Sequence, residues 1–458
     1  MYNTTLVNKK NKIKENYLKK INLVSTTDIY KKEILIEENT YKAFLELKEF
    51  FKSKNIIIGI ESAYRSLKQQ QEIYETFLKK NNEESKENII SLPGNSEHHT
   101  GLAIDINLIF DKEKLKNSDL LDEVHSFLSK FGFILRYPKG KEKITGHIYN
   151  QYHIRYVGKI VSKIIYENNL TLEEYLEQFN GVIAVKKEKG ITSFDVVNEI
   201  SHLFGIKKVG HTGTLDPLAE GVLIVTIGKA TKIVELLTAE DKEYIAEAKL
   251  GIKTDTYDIT GKILATKEIK DTTNFEEIIK SFQKTYKQEV PVYSAIKVNG
   301  KKLYEYARNN QQIELPKKEV TIKSIELLSY TKDTFKIKTL VSKGTYIRSL
   351  INDIGYKLNT YATMTSLLRT KQGNVNLKDT YSLEEIKNNK YKIYKIEEVL
   401  NFKTVCVDKD LEFKITNGQK INNLWKVTDK IILKNKSDKL LGIYQVEKDY
   451  LKVWKNFN

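Results

Sequence analysis

GHTGTLDPLAEGVL, Gly210 to Leu223, decides how the rest of this chain is read. It sets one carboxylate, Asp216, between small turn residues and a proline, then runs into the apolar stretch VLIVTIG, Val222 to Gly228. A lone Asp-Pro pair marks an ordinary turn. Here Gly213 and Pro217 fix the direction of the aspartate at the mouth of a predicted strand and leave it exposed, the placement expected of a reacting group.

Working outward, NGVIAVKKEKGITSFDVV (Asn180 to Val197) reads as a strand followed by a helix. Downstream come KEYIAEAKLGIKTDTYDITGK, VPVYSAIKVNGKKLYEYAR, GTYIRSLINDIG and LLRTKQG, in that order. These motifs, with GHTGTLDPLAEGVL, resemble the bacterial tRNA pseudouridine-55 synthase family of the TruB type. The resemblance spans roughly residues 180 to 400, with a weaker echo in ITNGQKI and KLLGIYQVEKDYLKVW of the family's small C-terminal RNA-binding domain.

The resemblance implies an isomerase that needs no cofactor. It detaches a uracil from ribose C1′ and rejoins it through C5, at the T-loop uridine (position 55) of tRNA. By the same resemblance Asp216 is the nucleophile. Attack at C1′, attack at C6 and assistance to glycal formation all remain open. An ionised aspartate in a closed pocket needs a cation, or desolvation raises its pKa. Arg348 is the candidate, at the start of a helix whose apolar stripe is Ile347, Leu350, Ile351, Ile354 and Leu358. Tyr244 alternates along one strand face with Ala246 and Ala248, which leaves room for a base to stack on its ring. His211 is implied to position the flipped nucleotide. Lys207 and Lys208, just before the motif, are candidate phosphate contacts, because a uridine in a folded loop must be extruded first.

The N-terminal third carries a second constellation. SAYRS (Ser62 to Ser66) follows the apolar run Ile56 to Ile60, and Leu67, Tyr74, Phe77 and Leu78 recur at helical spacing after it. SEHHTGLAIDI (Ser96 to Ile106) and YHIRYVG (Tyr152 to Gly158) come next. Strand alternation puts Leu102, Ile104 and Ile106 opposite Ala103 and Asp105, and sets His153 and Arg155 opposite Tyr152, Ile154 and Tyr156. Two histidines and an aspartate on neighbouring strands suit Zn2+, with the fourth position left to water. Five of the seven histidines lie in this third, as a metal site predicts, although His125 and His202 read as ordinary histidines.

This part resembles the zinc D-Ala-D-Ala carboxypeptidase family of the VanY type, through Ser96, His98, Gly101, Ala103 and Asp105. The resemblance implies that His98, Asp105 and His153 hold zinc. It also implies that Ser96 helps bind a D-Ala-terminated muropeptide, and that Arg65, through its planar donor fork, holds substrate or polarises the scissile carbonyl. One position departs from the family. Its glutamate three residues before the last histidine, the general base, is Asn150 here. An amide takes up no proton, and such a base is worth roughly 10²–10⁴ in rate, or about 3–5 kcal/mol. His147 lies nearby in sequence as a possible substitute. Two readings of this third stay open: a peptidase, or a zinc- and peptide-binding module. A third reading, a chain that binds RNA without catalysis, is opposed by the intact Asp216, Tyr244 and Arg348.

Length and charge agree with this organisation. The chain has 458 residues, too many for one ordinary domain. Its net charge of +16 suits a phosphate-rich partner. Cys406 is the only cysteine, so no intramolecular disulfide forms and a reducing compartment is expected. The N-terminus lacks an apolar signal core and no window approaches 18 apolar residues, so a cytoplasmic protein without membrane partner is expected. The expected fold is α+β and multidomain: a zinc-peptidase-like α+β domain at 1–178, a synthase domain with a central antiparallel sheet at 179–400, and a small β-rich RNA-binding domain at 401–458.

Overall fold

The computed structural model describes residues 3–80, 90–109, 117–269, 274–309, 311 and 313–457. The first two residues of the N-terminal segment read above lie outside them. The chain forms two compact units, Met1–Phe179 with Glu199–Lys208, and Asn180–Asn198 with Val209–Asn458. The short stretch 199–208 packs in the first unit: Tyr175 donates its hydroxyl to the Phe204 carbonyl at 2.8 Å, and Phe179 stacks on Phe204.

The first unit is built on a four-stranded antiparallel sheet, in the order Ile58–Ser62, Ala103–Leu108, Asn150–Tyr156, Phe133–Tyr137. Alternation works as expected for Asp105 and His153, whereas His98, expected on a strand, sits in the single turn Glu97–Thr100 just before one. Ile104, Ile106 and Ile154 enter a core with Phe44, Leu47 and Phe51 of the helix Glu38–Lys52, while Asp105 and His153 are register partners on the other face. The helix anticipated after SAYRS forms at Leu67–Lys80. Leu67 is 44% exposed, and the residue that anchors the helix is the buried Gln70, whose Nε2 donates to the Ser91 carbonyl at 2.7 Å.

The second unit carries a nine-stranded sheet whose main path runs Thr285–Glu289, Lys317–Tyr330, Thr334–Val341, Lys242–Leu250, Ala362–Gln372, Glu220–Ile227, Gly181–Lys187. One join on this path is parallel: Arg369 faces Gly221, and Leu368 faces Glu220. Only glycine fits there, since Gly221 has φ +105° and a Cβ would lie 2.2 Å from the Arg369 carbonyl oxygen. This close approach brings the Ala362–Gln372 strand against the loop that contains Asp216. The helix Ile347–Lys357 buries its apolar stripe on the sheet beside Tyr244, Ala246 and Ala248. Alternating residues toward the C-terminus form a five-stranded sheet of their own, in the order Lys403–Val407, Lys430–Asn435, Leu440–Glu447, Tyr450–Asn456, Ile421–Asn422. No described helix is long and apolar enough to cross a membrane.

Candidate functional site

In the second unit the loop around Asp216 is held almost entirely through its backbone. Arg369 Nη1 donates to the Gly213 carbonyl at 3.2 Å and Arg369 Nη2 to that of Thr214 at 3.1 Å. Ser193 Oγ both accepts from the Leu215 amide and donates to its carbonyl. The Gly190 amide reaches the Pro217 carbonyl at 2.8 Å, the Ala219 amide closes a turn on the Asp216 carbonyl at 3.0 Å, and Lys187 Nζ holds the Ala219 carbonyl at 2.6 Å. With every carbonyl from Gly213 to Pro217 paired, the loop has little freedom left, and what it presents is the Asp216 side chain.

That side chain meets Arg348 in a forked pair, Nε to Oδ2 at 2.9 Å and Nη2 to Oδ1 at 3.4 Å. Arg348 is the second residue of its helix and buried. It is fixed from behind by donation to the Thr256 and Tyr293 carbonyls, both at 3.0 Å. Asp258 Oδ2 lies 3.7 Å from Nη1, so the guanidinium serves two carboxylates. Burial pushes the Asp216 carboxyl up from its ordinary value and Asp258 adds to this, while Arg348 pulls the other way.

Tyr244 is buried and faces Arg369 across the sheet, accepting from Arg369 Nε at 3.2 Å. His211 is half-buried, and its Nδ1 accepts from the Gly213 amide at 3.3 Å. Burial first, and Arg369 second, lower its pKa and keep the ring neutral. Lys207 and Lys208 are exposed.

Sequence reasoning assigned no role to Arg369, Asp258 or Lys187. LLRTKQG and TYDITGK were visible as motifs, but a charged residue on a strand reads as solvated until the strand is known to be covered. Lys187, fully buried, is pushed down to about 8 by burial.

In the first unit His98, Asp105 and His153 offer ligand atoms that all lie within 4.8 Å of one another. His98 Nε2 is 3.2 Å from Asp105 Oδ2, and His153 Nδ1 is 2.8 Å from Asp105 Oδ1. His98 Nδ1 sits 2.6 Å from the Ala63 carbonyl, so it carries the proton and turns the Nε2 lone pair toward Asp105. Two aimed imidazole nitrogens and one carboxylate are a donor set that fits a three-ligand zinc site.

Arg65 is drawn into this group, with Nη2 3.0 Å from Asp105 Oδ2 and further bonds to Ser62 Oγ. Behind the trio lies a buried ionic cluster. Glu97 Oε1 is 2.8 Å from both Arg136 and Arg155, and Arg136 also grips Glu173 through two nitrogens at 2.6 and 2.9 Å. A cavity of about 360 Å³ opens over the trio. Arg65, the buried Ser96, His147 and Asn150 line it. Asn150 begins its strand and folds its side-chain oxygen back onto the Tyr152 amide at 3.0 Å.

The paired Asp216 and Arg348 stand beside the nine-stranded sheet, and comparison with known proteins identifies the family to which this unit belongs. Residues 201–347 match the TruB family pseudouridylate synthase (N terminal domain), and 348–402 the tRNA pseudouridylate synthase B C-terminal domain. The tRNA pseudouridine synthase B of Fusobacterium nucleatum is 51% identical over 198 residues, 43% of this chain and 69% of the relative. That of Oceanobacillus iheyensis is 43% identical over 281 residues, 58% of this chain and 92% of the relative. The chain belongs to the tRNA pseudouridine synthase B family.

Residues 33–159 match the D-alanyl-D-alanine carboxypeptidase family. A vancomycin-resistance D,D-pentapeptidase solved in complex with Zn(II) is 29% identical, covering 38% of this chain and 99% of its own, with a TM-score of 0.34. By its family matches, the chain joins a tRNA pseudouridine synthase to a carboxypeptidase-like domain.

Proposed function

We propose that the second unit isomerises the T-loop uridine of tRNA (position 55), with Asp216 as nucleophile and Arg348 as its counter-ion. The observation that carries this reading is the forked Asp216–Arg348 pair, presented from a loop whose carbonyls from Gly213 to Pro217 are all paired. Such a site meets the reacting sugar or base without reorganising. Tyr244 offers its ring to the flipped base, and its hydroxyl takes part in moving the C5 proton. His211, kept neutral, helps position the nucleotide. The C-terminal sheet grips the T-arm backbone, and the reaction takes place in the cytoplasm. Incubating the purified chain with a tRNA transcript and mapping pseudouridine tests this: product is expected at the T-loop uridine.

Tyr244→Phe is expected to lower turnover far more than tRNA affinity. The ring stays, while the hydroxyl and its bond from Arg369 are lost. Equal losses in rate and binding would make Tyr244 a packing residue. The tRNA dissociation constant is expected to rise with salt on a log–log plot, with a slope of roughly 0.7–0.9 per phosphate contacted. A flat response would exclude the basic surface as the RNA footprint.

The first unit is proposed to hold zinc through His98, Asp105 and His153, and to take a D-Ala-terminated peptide in the cavity above them, with Arg65 and Ser96 at the substrate. A bound zinc supplies Lewis acidity toward water and the scissile carbonyl. Because Asn150 takes no proton, hydrolysis there is expected to be slow.

A further inference from the structure

We propose that His147 is the proton acceptor for the slow peptide hydrolysis in the first unit's cavity, in the role that Asn150 cannot fill. The proposal rests on reading that cavity as a zinc-peptidase-like site, and is chosen by what lines it. Outside the three metal-binding candidates, the described lining offers four side chains that could exchange a proton: Glu97, Tyr137, Tyr149 and His147.

Glu97 is excluded by its partners. It is fully buried, and against that burial Arg136 and Arg155 hold its carboxyl far below the usual carboxylate range. Its charge is already committed to structure. The phenols of Tyr137 and Tyr149 are both pushed up by burial and stay protonated.

His147 differs on each count. Its ring lies 4.5 Å from that of Tyr137, which in turn stacks on His153 at 4.9 Å, so one aromatic ring carries both imidazoles. His147 Nε2 is 3.4 Å from the hydroxyl oxygen of Ser91, another residue of the lining. That contact leaves the ring at the cavity wall without tying it to a charge. Burial pushes His147 down to about 4, with the neighbouring His153 and Arg136 adding to the effect, so the ring keeps its lone pair at neutral pH.

The step balances with water alone. As the water oxygen bonds to the scissile carbonyl carbon, one water proton passes to the His147 imidazole. The C–N bond then breaks, and the imidazolium returns the proton to the departing amine of D-alanine. The products are a carboxylic acid and an amine.

Four full-length, zinc-loaded proteins test this with a D-Ala-D-Ala-terminated pentapeptide: the native chain, His147→Gln, Asn150→Glu and the double variant. Zinc content and calorimetric affinity for D-Ala-D-Ala are expected to match between native and His147→Gln, which shows an intact site. Hydrolysis by His147→Gln is expected to fall by about 10²-fold. In the Asn150→Glu background the same substitution should change the rate by less than about threefold, because the new carboxylate takes the proton. An unchanged rate in His147→Gln overturns the proposal, as does a native chain no faster than its metal-free form. A similar loss in both backgrounds also overturns it, marking His147 as structural. Failure of all four proteins to bind zinc would instead sink the reading of the site, and this proposal with it.

Discussion

The Asp216→Asn protein is expected to bind tRNA with native affinity and to form no detectable pseudouridine. The amide nearly matches the carboxylate in shape, and the loop is held by Arg369, Ser193, Lys187 and Gly190 through backbone groups that the substitution leaves alone. What disappears is the nucleophile, so the single-turnover rate should drop by at least about 10³-fold while the dissociation constant moves little. Arg348 keeps Asp258 and two backbone carbonyls as partners, which guards against collapse of the pocket. Mapping the modified positions of a treated transcript checks the result, and a rate near native would sink the assignment. The native enzyme should also lose activity toward acid pH. Burial holds the Asp216 carboxyl above its ordinary value, so the ionised fraction, and with it the rate, falls as pH drops through that raised pKa.

Asn150→Glu is expected to raise hydrolysis of D-Ala-terminated peptides by up to about 10²-fold, which is what remains of the roughly 10²–10⁴ that a placed general base contributes once the share of His147 is taken off. Asn150 already lines the cavity, and its oxygen is engaged only with the backbone two residues on. A glutamate one methylene longer can leave that local bond and reach over the trio. His98→Ala and His153→Ala should each abolish zinc binding, read as metal content of the purified protein. Chelation should stop hydrolysis and leave pseudouridine formation unchanged. Fast hydrolysis by the unaltered chain, or a domain free of metal at micromolar zinc, would overturn this account.

How far the sequence could be read depended on how local each signal was. The Asp216 turn, the strand of Tyr244 and the alternation around Asp105 and His153 are short-range patterns, and each element forms where they indicated. The stripe of Ile347, Leu350, Ile351 and Ile354 placed its helix correctly and put Arg348 beside it. Arg369 escaped because Tyr244, Gly213 and Thr214 lie more than 120 residues away along the chain, and only the sheet pairings of the Ala362–Gln372 strand bring them together. The Glu97–Arg136–Arg155–Glu173 cluster was hidden for the same reason: each member alone resembles a solvated charge. The helix after SAYRS forms as its spacing indicated, but the buried Gln70 that ties it down carries no apolar signal.

That ionic cluster has a bearing on how the metal can be handled. Glu97 precedes His98 in sequence, while Arg136 and Arg155 come from the strands Phe133–Tyr137 and Asn150–Tyr156. The backbone on either side of the trio is thus clamped by charges that do not depend on the ion, unlike small zinc modules that unfold when stripped. Dialysis against a chelator should therefore give a protein with an unchanged circular-dichroism spectrum that takes up one equivalent of zinc again on mixing. Reconstitution with Co2+ then becomes practical, giving a coloured reporter of the ligand field without refolding a chain that also carries a tRNA-modifying enzyme.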